Sequence, residues 1–329
     1  MREAMRQARV GDDGYGDDPT LNRLQQLAAT LLGKEDALFV PSGTMGNLVS
    51  IMVHTSPGDE LICERDAHVL NSEMGGVAAV AGCVIRAVAG VRGVMDPGEV
   101  DRLCRKPGAR PRTGVICVEN THNAAGGVVT PLDNLRQLKQ IAQAKQVAVH
   151  MDGARIFNAA ACLGVEPKCV AQHADSVMFC LSKALGAPMG SVIVGTKQFI
   201  HEARYVRKML GGTLRQAGVV AAAGIVALET MVGRLAEDHE NARLLATGLR
   251  DIGLDVDTSL VDTNLVYVVP PAGMSAEQLA KVCVEMGVLA KPSMNRVRLV
   301  THYQVTADDV KEALGRFAHA VTCGAIRLG

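Results

Sequence analysis

Short apolar runs recur along the first part of the chain, and longer stretches of mixed polarity separate them. Turn residues bound each run, which is the form expected of strands buried on both faces of a parallel sheet. The intervening stretches are long enough for the helix of a right-handed βαβ crossover. We therefore predict an α/β fold with a mainly parallel sheet. The predicted strands are residues 37–40, 60–63, 115–119, 146–151, 175–182 and 191–195.

The last part of the chain has a different pattern. Apolar spacing predicts a long helix over residues 217–252 with a break near Gly233, and this helix would link two domains. The elements predicted after it are strands near residues 265–269 and 297–299 and helices at 276–286 and 307–320. A chain of 329 residues is also long for one core. We therefore predict a large domain over residues 1–233 and a small α+β domain over residues 234–329.

An amphipathic helix is predicted near the N-terminus. Asp18 is placed to cap it, Pro19 suits its first position, and Gly33 is placed to end it. Its four leucines, spaced three or four residues apart, should form one apolar stripe that faces the core. They are Leu21, Leu24, Leu27 and Leu31.

Two chemically active side chains follow two of the predicted strands. Asp152 comes directly after residues 146–151, and Lys183 comes directly after residues 175–182. Because ligands of such sheets bind at the carboxyl ends of the strands, the acid and the amine should meet there. Pyridoxal phosphate needs both, a lysine amine for its Schiff base and a carboxylate beside its ring nitrogen. Taken singly, the lysine is more typical of a solvated loop and the aspartate of a helix cap.

Small residues follow the first predicted strand, in the segment PSGTMGN at residues 41–47. At a strand-to-helix turn, such residues leave backbone N–H groups open at a helix N-terminus, and a phosphate fits there. The alternative is an ordinary tight turn, which uses the same residue types.

Two histidines also lie at the carboxyl ends of predicted strands. His68 follows residues 60–63, and His122 follows residues 115–119. A histidine in this position can lie flat against a cofactor ring or act as a base. The alternative for each is a hydrogen-bonded loop residue. The sequence does not choose between the two as the base.

Composition excludes several classes of function. Lys plus Arg and Asp plus Glu both number 34, and tryptophan is absent, so neither a nucleic-acid surface nor an acidic membrane surface is predicted. The longest apolar stretch, residues 219–228, is too short to span a bilayer, and no secretory signal is visible. Nine scattered cysteines without a C-x-x-C pair predict reduced thiols in a reducing compartment, so we expect a cytoplasmic protein without a zinc site. The aspartate-rich loop at residues 11–19 lacks EF-hand spacing, so no metal is predicted there.

With these residues collected, the chain resembles the threonine aldolases, pyridoxal-phosphate lyases of the aspartate-aminotransferase-like fold. The matching motifs follow one another in the family's order across nearly the whole chain. They are GDDGYGDDPT at residues 11–20, PSGTMGN at 41–47, ENTHN at 119–123, HMDGAR at 150–155, CLSK at 180–183, GGTLRQA at 211–217 and RLVTH at 298–302.

The resemblance implies a role for each candidate residue. Lys183 would carry the Schiff base, Asp152 would pair with the ring nitrogen, and His68 would stack on the ring. His68 or His122 would be the base for the substrate hydroxyl, and His122 would also contact the substrate. The remaining implied ligands are Ser42, Gly43 and Thr44 at the phosphate, Arg155 at the cofactor, Arg155 and Arg298 at the substrate carboxylate, and Lys208 and Arg215 near the phosphate across a subunit boundary.

The activity implied by the resemblance is retro-aldol cleavage of L-threonine, L-allo-threonine and other β-hydroxy-α-amino acids to glycine and an aldehyde. The implied partners are the amino-acid substrate and copies of the same chain, in a homotetramer with sites at dimer interfaces. Two alternatives remain open. One is a β-eliminating lyase on the same scaffold, which would release pyruvate and ammonia, and the other is a cofactor-binding protein with little catalysis. A nicotinamide-binding protein is disfavoured because no G-x-G-x-x-G follows an early strand.

Two features depart from the family pattern. The family's opening segment, which contributes a serine near the substrate carboxylate, is missing before Met1. We therefore expect reduced turnover. Whether an organellar targeting signal was lost with that segment stays open. The position four residues after His68 is Ser72, where the family often has an aromatic residue. The sequence therefore does not predict which of the threo and erythro isomers is preferred.

Overall fold

In the computed structural model, residues 1–106, 108 and 111–328 are described. They divide into two compact units. The first unit comprises Met1–Ala125 and Thr130–Gly233, and the second comprises Gly126–Val129 and Arg234–Gly329. The short segment Gly126–Val129 therefore packs with the second unit although it lies far before it in the chain.

The first unit is built on one seven-stranded sheet. The strands of this unit are β1 Asp36–Val40, β2 Glu60–Glu64, β3 Val84–Val88, β4 Gly90–Val91, β5 Val94–Met95, β6 Thr113–Glu119, β7 Ala148–Asp152, β8 Ser176–Cys180 and β9 Ser191–Gly195. The order across the large sheet is β1-β9-β8-β7-β6-β2-β3, and β4 and β5 form a separate hairpin. Each neighbouring pair in the run β8-β7-β6-β2-β3 is parallel, whereas β9 runs antiparallel to both β8 and β1. The predicted mainly parallel sheet is confirmed.

Helices connect these strands. They are α1 Arg2–Arg6, α2 Pro19–Leu32, α3 Gly43–His54, α4 His68–Asn71, α5 Gly76–Ala79, α6 Pro97–Leu103, α7 Leu132–Lys145, α8 Ile156–Leu163, α9 Pro167–Ala171, α10 Lys197–Met209 and α11 Gly218–Val226. Every residue of β2, β6, β8 and β9 is buried, which explains their uninterrupted apolar runs. The edge strand β3 was not predicted, because it is partly exposed and carries Arg86 at its centre.

Helix α2 has the predicted ends. The Asp18 carboxylate accepts hydrogen bonds from the backbone N–H groups of Thr20 and Leu21, and Gly33 ends the helix in the left-handed region with φ of 62°. The predicted stripe is only partly correct. Leu21 and Leu24 are buried, but the other two predicted leucines are only half-buried. Residues at neighbouring helix positions complete the buried face, because a 3.6-residue period shifts the stripe around the helix over several turns. The remaining buried residues are Gln25, Ala28, Ala29 and Leu32.

A buried ion pair anchors the N-terminal loop to α10. The Nη2 atom of Arg207 lies 3.1 Å from Oδ1 and 3.0 Å from Oδ2 of Asp13, and both side chains are almost fully buried. The Nη1 atom of Arg207 donates to the carbonyl oxygen of Phe39 in β1 at 2.8 Å. The same aspartate accepts from the backbone N–H of Leu214 at 3.1 Å. One carboxylate therefore joins the loop before α2 to the segment after α10.

Asp13→Asn should destabilise the first unit strongly. The amide keeps the shape of the carboxylate but leaves the Arg207 charge buried without a counter-charge, at a cost of about 3–5 kcal/mol. Hydrogen exchange of the β1 and α10 amides, followed by mass spectrometry, measures the loss. The matched control is Glu229→Gln, which breaks the exposed pair that Glu229 forms with Arg23 at 2.8 Å and should cost at most about 1 kcal/mol. Equal effects of the two substitutions would contradict a structural role for the buried pair.

The second unit contains a three-stranded antiparallel sheet in the order β10-β12-β11. Its elements are α12 Leu235–Asp251, β10 Leu265–Val268, α13 Ala276–Glu285, β11 Lys291–Ser293, β12 Arg296–Val300 and α14 Ala307–Thr322. Its core includes Leu249, Leu279, Leu299 and Phe317. The sequence did not predict β11, because Pro292 lies at its centre and proline cannot donate to a strand ladder.

The predicted long helix is divided into segments of different geometry. Helix α11 is followed by a π-helical turn, Ala227–Met231, and a 3₁₀ turn, Val232–Arg234, before α12 begins. The predicted break near Gly233 therefore corresponds to this change of helical pitch. The whole run Gly218–Asp251 is long and apolar enough to cross a membrane by length and composition alone. A buried core helix passes the same test, and most residues of α11 are buried.

Candidate active site

A cavity of about 340 Å³ opens at the carboxyl ends of the central strands, within the first unit. Its volume falls at the lower end of the range of about 300–1,000 Å³ that is typical of small-molecule sites. The turn before α3, the start of α4, the ends of β7 and β8 and the loop after β8 all contribute to its wall. Six of the predicted site residues line it together, namely Ser42, Gly43, Thr44, His68, Asp152 and Lys183.

One end of the cavity is formed by the N-terminus of α3. The hydroxyl of Ser42 accepts the backbone N–H of Met45 at 3.2 Å and so caps the helix. The N–H groups of Gly43 and Thr44 belong to the first turn, where a helix offers no acceptor, so they are available to an anion. Glycine at position 43 avoids a tight contact, because a Cβ atom there would lie 3.0 Å from the Cys180 sulfur. This end of the cavity suits a phosphate.

Asp152 forms the floor of the cavity at the end of β7. Only 3% of the residue is exposed. Its Oδ1 atom accepts the backbone N–H of Ala154 at 3.1 Å, and its Oδ2 atom accepts an N–H of the Asn47 side chain at 2.9 Å. Neither neighbour carries a charge. The carboxylate is therefore held in one orientation by neutral donors and can still bind a cationic group of a ligand.

His68 is the first residue of α4, and Glu73 holds its ring. The His68 Nδ1 atom lies 2.9 Å from Oε1 of Glu73, and its backbone N–H donates to Oε2 of Glu119 at 2.7 Å. The hydrogen bond to Glu73 is the main cause that raises the pKa of His68, and burial opposes it. The side chains of His68, Glu73 and Asp152 offer ligand atoms within 4.8 Å of one another. Sequence reasoning missed Glu73, because no motif marks it.

Lys183 lies in the turn after β8. Its carbonyl oxygen accepts the backbone N–H of Gly186 at 2.9 Å. The side chain is half-buried and lines the same cavity as Asp152. The amine and the carboxylate therefore meet as predicted, because adjacent parallel strands β7 and β8 end at the same edge of the sheet.

His122 does not line this cavity. It is almost fully buried, with its Nε2 atom 3.0 Å from Oε2 of Glu64 and its Nδ1 atom 3.3 Å from the backbone N–H of Ala125. Burial lowers the pKa of His122, but the hydrogen bond to Glu64 and the charge of Glu119 outweigh burial and raise it overall. The predicted role of His122 as base or substrate contact stays a prediction. A substrate would have to compete with these protein partners for the ring.

Four predicted basic residues also lie outside the lining of this cavity. Arg155 donates from Nη1 to Oδ1 of Asn123 at 3.3 Å. Lys208 is exposed at the end of α10, and the exposed Arg215 pairs with Asp12 at 2.9 Å. Arg298 belongs to the second unit, where it lies opposite Tyr267 and Lys291 in the sheet. The roles predicted for these four residues stay predictions.

The comparisons with known proteins decide the family. The family model for β-eliminating lyases matches residues 1–271. Low-specificity L-threonine aldolase 1 of Arabidopsis thaliana is 43% identical to this chain, over 98% of this chain and 92% of its own length. The low specificity L-threonine aldolase of Escherichia coli K12 is 42% identical, over 95% of this chain and 92% of its own length. The chain belongs to the threonine aldolase family.

Solved structures share the fold of this threonine aldolase family member. The threonine aldolase of Leishmania major superposes with a TM-score of 0.80 at 16% identity, over 96% of this chain and 92% of that chain. A serine palmitoyltransferase of Sphingomonas wittichii superposes with a TM-score of 0.79 at 19% identity, over 99% of this chain and 83% of that chain. Both confirm the predicted fold class, the pyridoxal-phosphate fold with a mostly parallel central sheet.

The cofactor of this family is pyridoxal phosphate, and the cavity fits it. The first turn of α3 offers backbone donors for the phosphate. The buried Asp152 carboxylate has no cationic partner among the hydrogen-bond donors described for it, which suits a protonated ring nitrogen. The Lys183 amine lines the same cavity. These three groups are the ones that the cofactor requires.

Proposed function

We propose that this chain cleaves L-threonine, L-allo-threonine and related β-hydroxy-α-amino acids to glycine and an aldehyde. The observation that carries this proposal is the meeting of Lys183, Asp152 and the α3 N-terminus in one cavity. The names of the relatives, low-specificity L-threonine aldolases over nearly the whole chain, support the substrate class. Conversion of threonine is thus the expected reaction of an enzyme of this family.

Each residue of the cavity has a distinct task in this reaction. Pyridoxal phosphate, when bound, supplies an electron sink for the pair released when the Cα–Cβ bond breaks. Asp152 would keep a proton on the ring nitrogen, because a carboxylate beside that atom favours its charged form. The N–H groups of Gly43 and Thr44 would hold the phosphate, which fixes the ring over the floor of the cavity. Lys183 would hold the cofactor covalently and transfer protons beside it.

A base must take the proton of the substrate's β-hydroxyl group. Of the two candidates, His68 is the better placed, because it lines the cavity while His122 uses both ring nitrogens on protein groups. Glu73 engages Nδ1 of His68, so the Nε2 atom of His68 is the one left to meet a substrate or a bridging water. The same ring would stack on the cofactor.

Product analysis tests this proposal against its alternative. The purified chain should release acetaldehyde and glycine in equal amounts from L-allo-threonine and from L-threonine. The matching family model is that of the β-eliminating lyases, and a β-elimination would instead release ammonia and a keto acid. Formation of ammonia without an aldehyde would overturn the proposed function. Comparison of the two isomers also measures the stereochemical preference that the sequence does not predict.

Arg298→Lys tests whether the second unit supplies the substrate arginine. The substitution keeps the charge but loses the paired donors of a guanidinium, so KM for L-allo-threonine should rise about tenfold. The absorbance of bound cofactor should not change. Arg296→Lys, the same substitution two residues earlier on β12, is the control and should leave KM within about twofold. Equal KM values in the two variants would show that Arg298 does not bind the substrate carboxylate.

We also propose that the chain works in the cytoplasm as a homotetramer with sites shared between subunits. Lys208 and Arg215 support this proposal, because they are exposed and lie outside the cavity of their own chain. The nine cysteines, all free thiols, support a reducing compartment. Mass photometry measures the assembly. Mixed Lys183→Ala and Arg215→Ala subunits should regain turnover if Arg215 serves a neighbouring site, and no regain would contradict the shared site.

A further inference from the structure

A continuous chain of hydrogen bonds begins at Asn47, in the wall of the cavity, and runs behind Asp152 into the protein interior. Its members come from β7, β8 and α3, all in the first unit. The Nδ1 atom of His150 lies 2.9 Å from Oγ of Ser176, and Oγ of Ser176 lies 2.8 Å from Nε2 of His54. The Nε2 atom of His150 lies 3.1 Å from Oδ1 of Asn47. We name this set the buried relay: Asn47, His150, Ser176 and His54.

The fold aligns these side chains on one surface of the sheet. His150 and Asp152 are two residues apart on β7 and so share a face. Ser176 is the register partner of His150 on β8. Asn47 and His54 lie on α3, about two helical turns apart, and reach the two ends of the relay. Asn47, His150 and Ser176 are fully buried, so water cannot replace their hydrogen bonds.

The direction of every hydrogen bond in the relay is determined by the carboxylates at its end. The side-chain amide of Asn47 donates to Oδ2 of Asp152 at 2.9 Å and to Oε1 of Glu73 at 2.8 Å. Both acceptors are carboxylates, so the amide nitrogen must face them and Oδ1 of Asn47 must accept from His150. His150 therefore carries its proton on Nε2, which leaves Nδ1 to accept the Ser176 hydroxyl. Ser176 in turn accepts from Nε2 of His54.

Burial supports this neutral arrangement. It lowers the pKa of His150 to about 3, and it lowers the pKa of His54 to about 4. A positive charge on His150 would put a proton on Nδ1 and reverse its bond to Ser176. The neutral ring keeps one defined tautomer, so the amide of Asn47 is held in one orientation.

We propose that Asn47, His150 and Ser176 are positioning residues for the reaction: they orient Asp152 toward the cofactor ring nitrogen and, through Glu73, orient His68. Asn47 is the branch point, because its two N–H groups bind the carboxylates that serve the two faces of the site. The relay thus couples the group at the ring nitrogen to the group that stacks on the ring. This inference rests on the proposed function only for its effect on turnover.

The substitution Ser176→Ala tests the relay at a distance from the cavity. It removes the donor to Nδ1 of His150, so Oδ1 of Asn47 is left as the one relay partner that fixes the tautomer. The Nδ1-protonated ring should then become populated, and the orientation of Asn47 should be held less firmly. We expect kcat to fall about three- to tenfold, as for the loss of one buried hydrogen bond, with KM nearly unchanged. The cofactor dissociation constant should rise by a similar factor. The nitrogen chemical shifts of labelled histidine report the tautomer of His150 in the holoenzyme.

The matched control is Ser50→Ala. Ser50 is as fully buried as Ser176, but its hydroxyl donates to the carbonyl oxygen of Gly46 within α3 and takes no part in the relay. Its removal should change kcat and cofactor affinity less than about twofold. It should not alter the tautomer of His150. A purely structural effect of a buried serine would instead appear equally in both variants.

Two variants of His150 complete the test. His150→Gln keeps a donor near the position of Nε2 and should retain most of the wild-type kcat, whereas His150→Leu leaves Oδ1 of Asn47 without a donor and should lose more than about tenfold. Equal losses in kcat for the two serine variants, or a Nδ1-protonated His150 in the wild type, would overturn the relay. Tautomer and cofactor affinity need no turnover, so failure to cleave threonine would refute the proposed function separately.

Discussion

The Lys183→Ala variant should lose turnover by at least about a thousandfold while it still folds and still binds the cofactor noncovalently. Lys183 is the lysine that lines the cavity together with Asp152 and the α3 N-terminus. Alanine removes both the covalent link and the amine that moves protons beside the substrate, and general acid–base catalysis alone is worth about 10²–10⁴-fold. Because the side chain is half-buried and makes no ion pair described for it, its loss should cost little stability.

Borohydride treatment followed by peptide mass spectrometry locates the covalent link. In the wild type, the cofactor mass should appear on the peptide that contains Lys183, and in Lys183→Ala it should appear on none. Lys197→Ala is the control, because Lys197 is an exposed lysine at the start of α10 in the same unit, and it should keep both label and turnover. A cofactor label on another lysine, with turnover retained, would contradict the assignment of Lys183 as the residue that binds the cofactor covalently.

The second large effect is expected for Asp152→Asn, with a fall in kcat of about a hundredfold or more. The neutral amide no longer favours a proton on the cofactor ring nitrogen, and loss of one preorganised electrostatic contact commonly costs about 10²–10³-fold. The new amide group also meets two donors, the Asn47 side chain and the Ala154 backbone N–H, and can accept from only one of them. We therefore expect a modest loss of stability beside the loss of rate.

Asp175→Asn is the control that separates the loss of rate expected for Asp152→Asn from its loss of stability. Asp175 also accepts a backbone N–H, that of Val149, but it lies just before β8, at the other end of that strand from the cavity, and pairs with Lys139. Its substitution should lower stability without a specific loss in kcat. Cofactor absorbance, melting temperature and kcat are measured in parallel for both variants. If Asp152→Asn loses only as much kcat as Asp175→Asn, the carboxylate at position 152 is structural.

Local sequence predicted the parts of the site that depend on strand order. Asp152 and Lys183 each follow a buried apolar run, and such runs end at one edge of a parallel sheet. The small residues after β1 predicted the helix N-terminus at Ser42 and the residues that follow. These inferences hold because each depends on one element and on a general rule for where strands end.

Strands without an uninterrupted apolar pattern were not predicted. Strand β3 carries an arginine at its centre and forms an edge of the sheet, and β11 has Pro292 at its centre. Their pairing depends on neighbours far away in the sequence, not on a local apolar pattern. The stripe of α2 was displaced for a related reason, because packing against other elements selected Ala28 and Leu32 over the outer leucines.

The chain's sequence by itself determined which side chains reach the carboxyl edge of the sheet, whereas only the tertiary structure decided what holds them there. Asn47, Glu73, His150 and Ser176 come from separate parts of the chain, and no spacing along the chain connects them. Their hydrogen bonds exist because α3 packs across β7 and β8 and excludes water from the polar groups between them. A buried polar network is a property of three-dimensional packing, since each member requires partners that the local sequence does not specify.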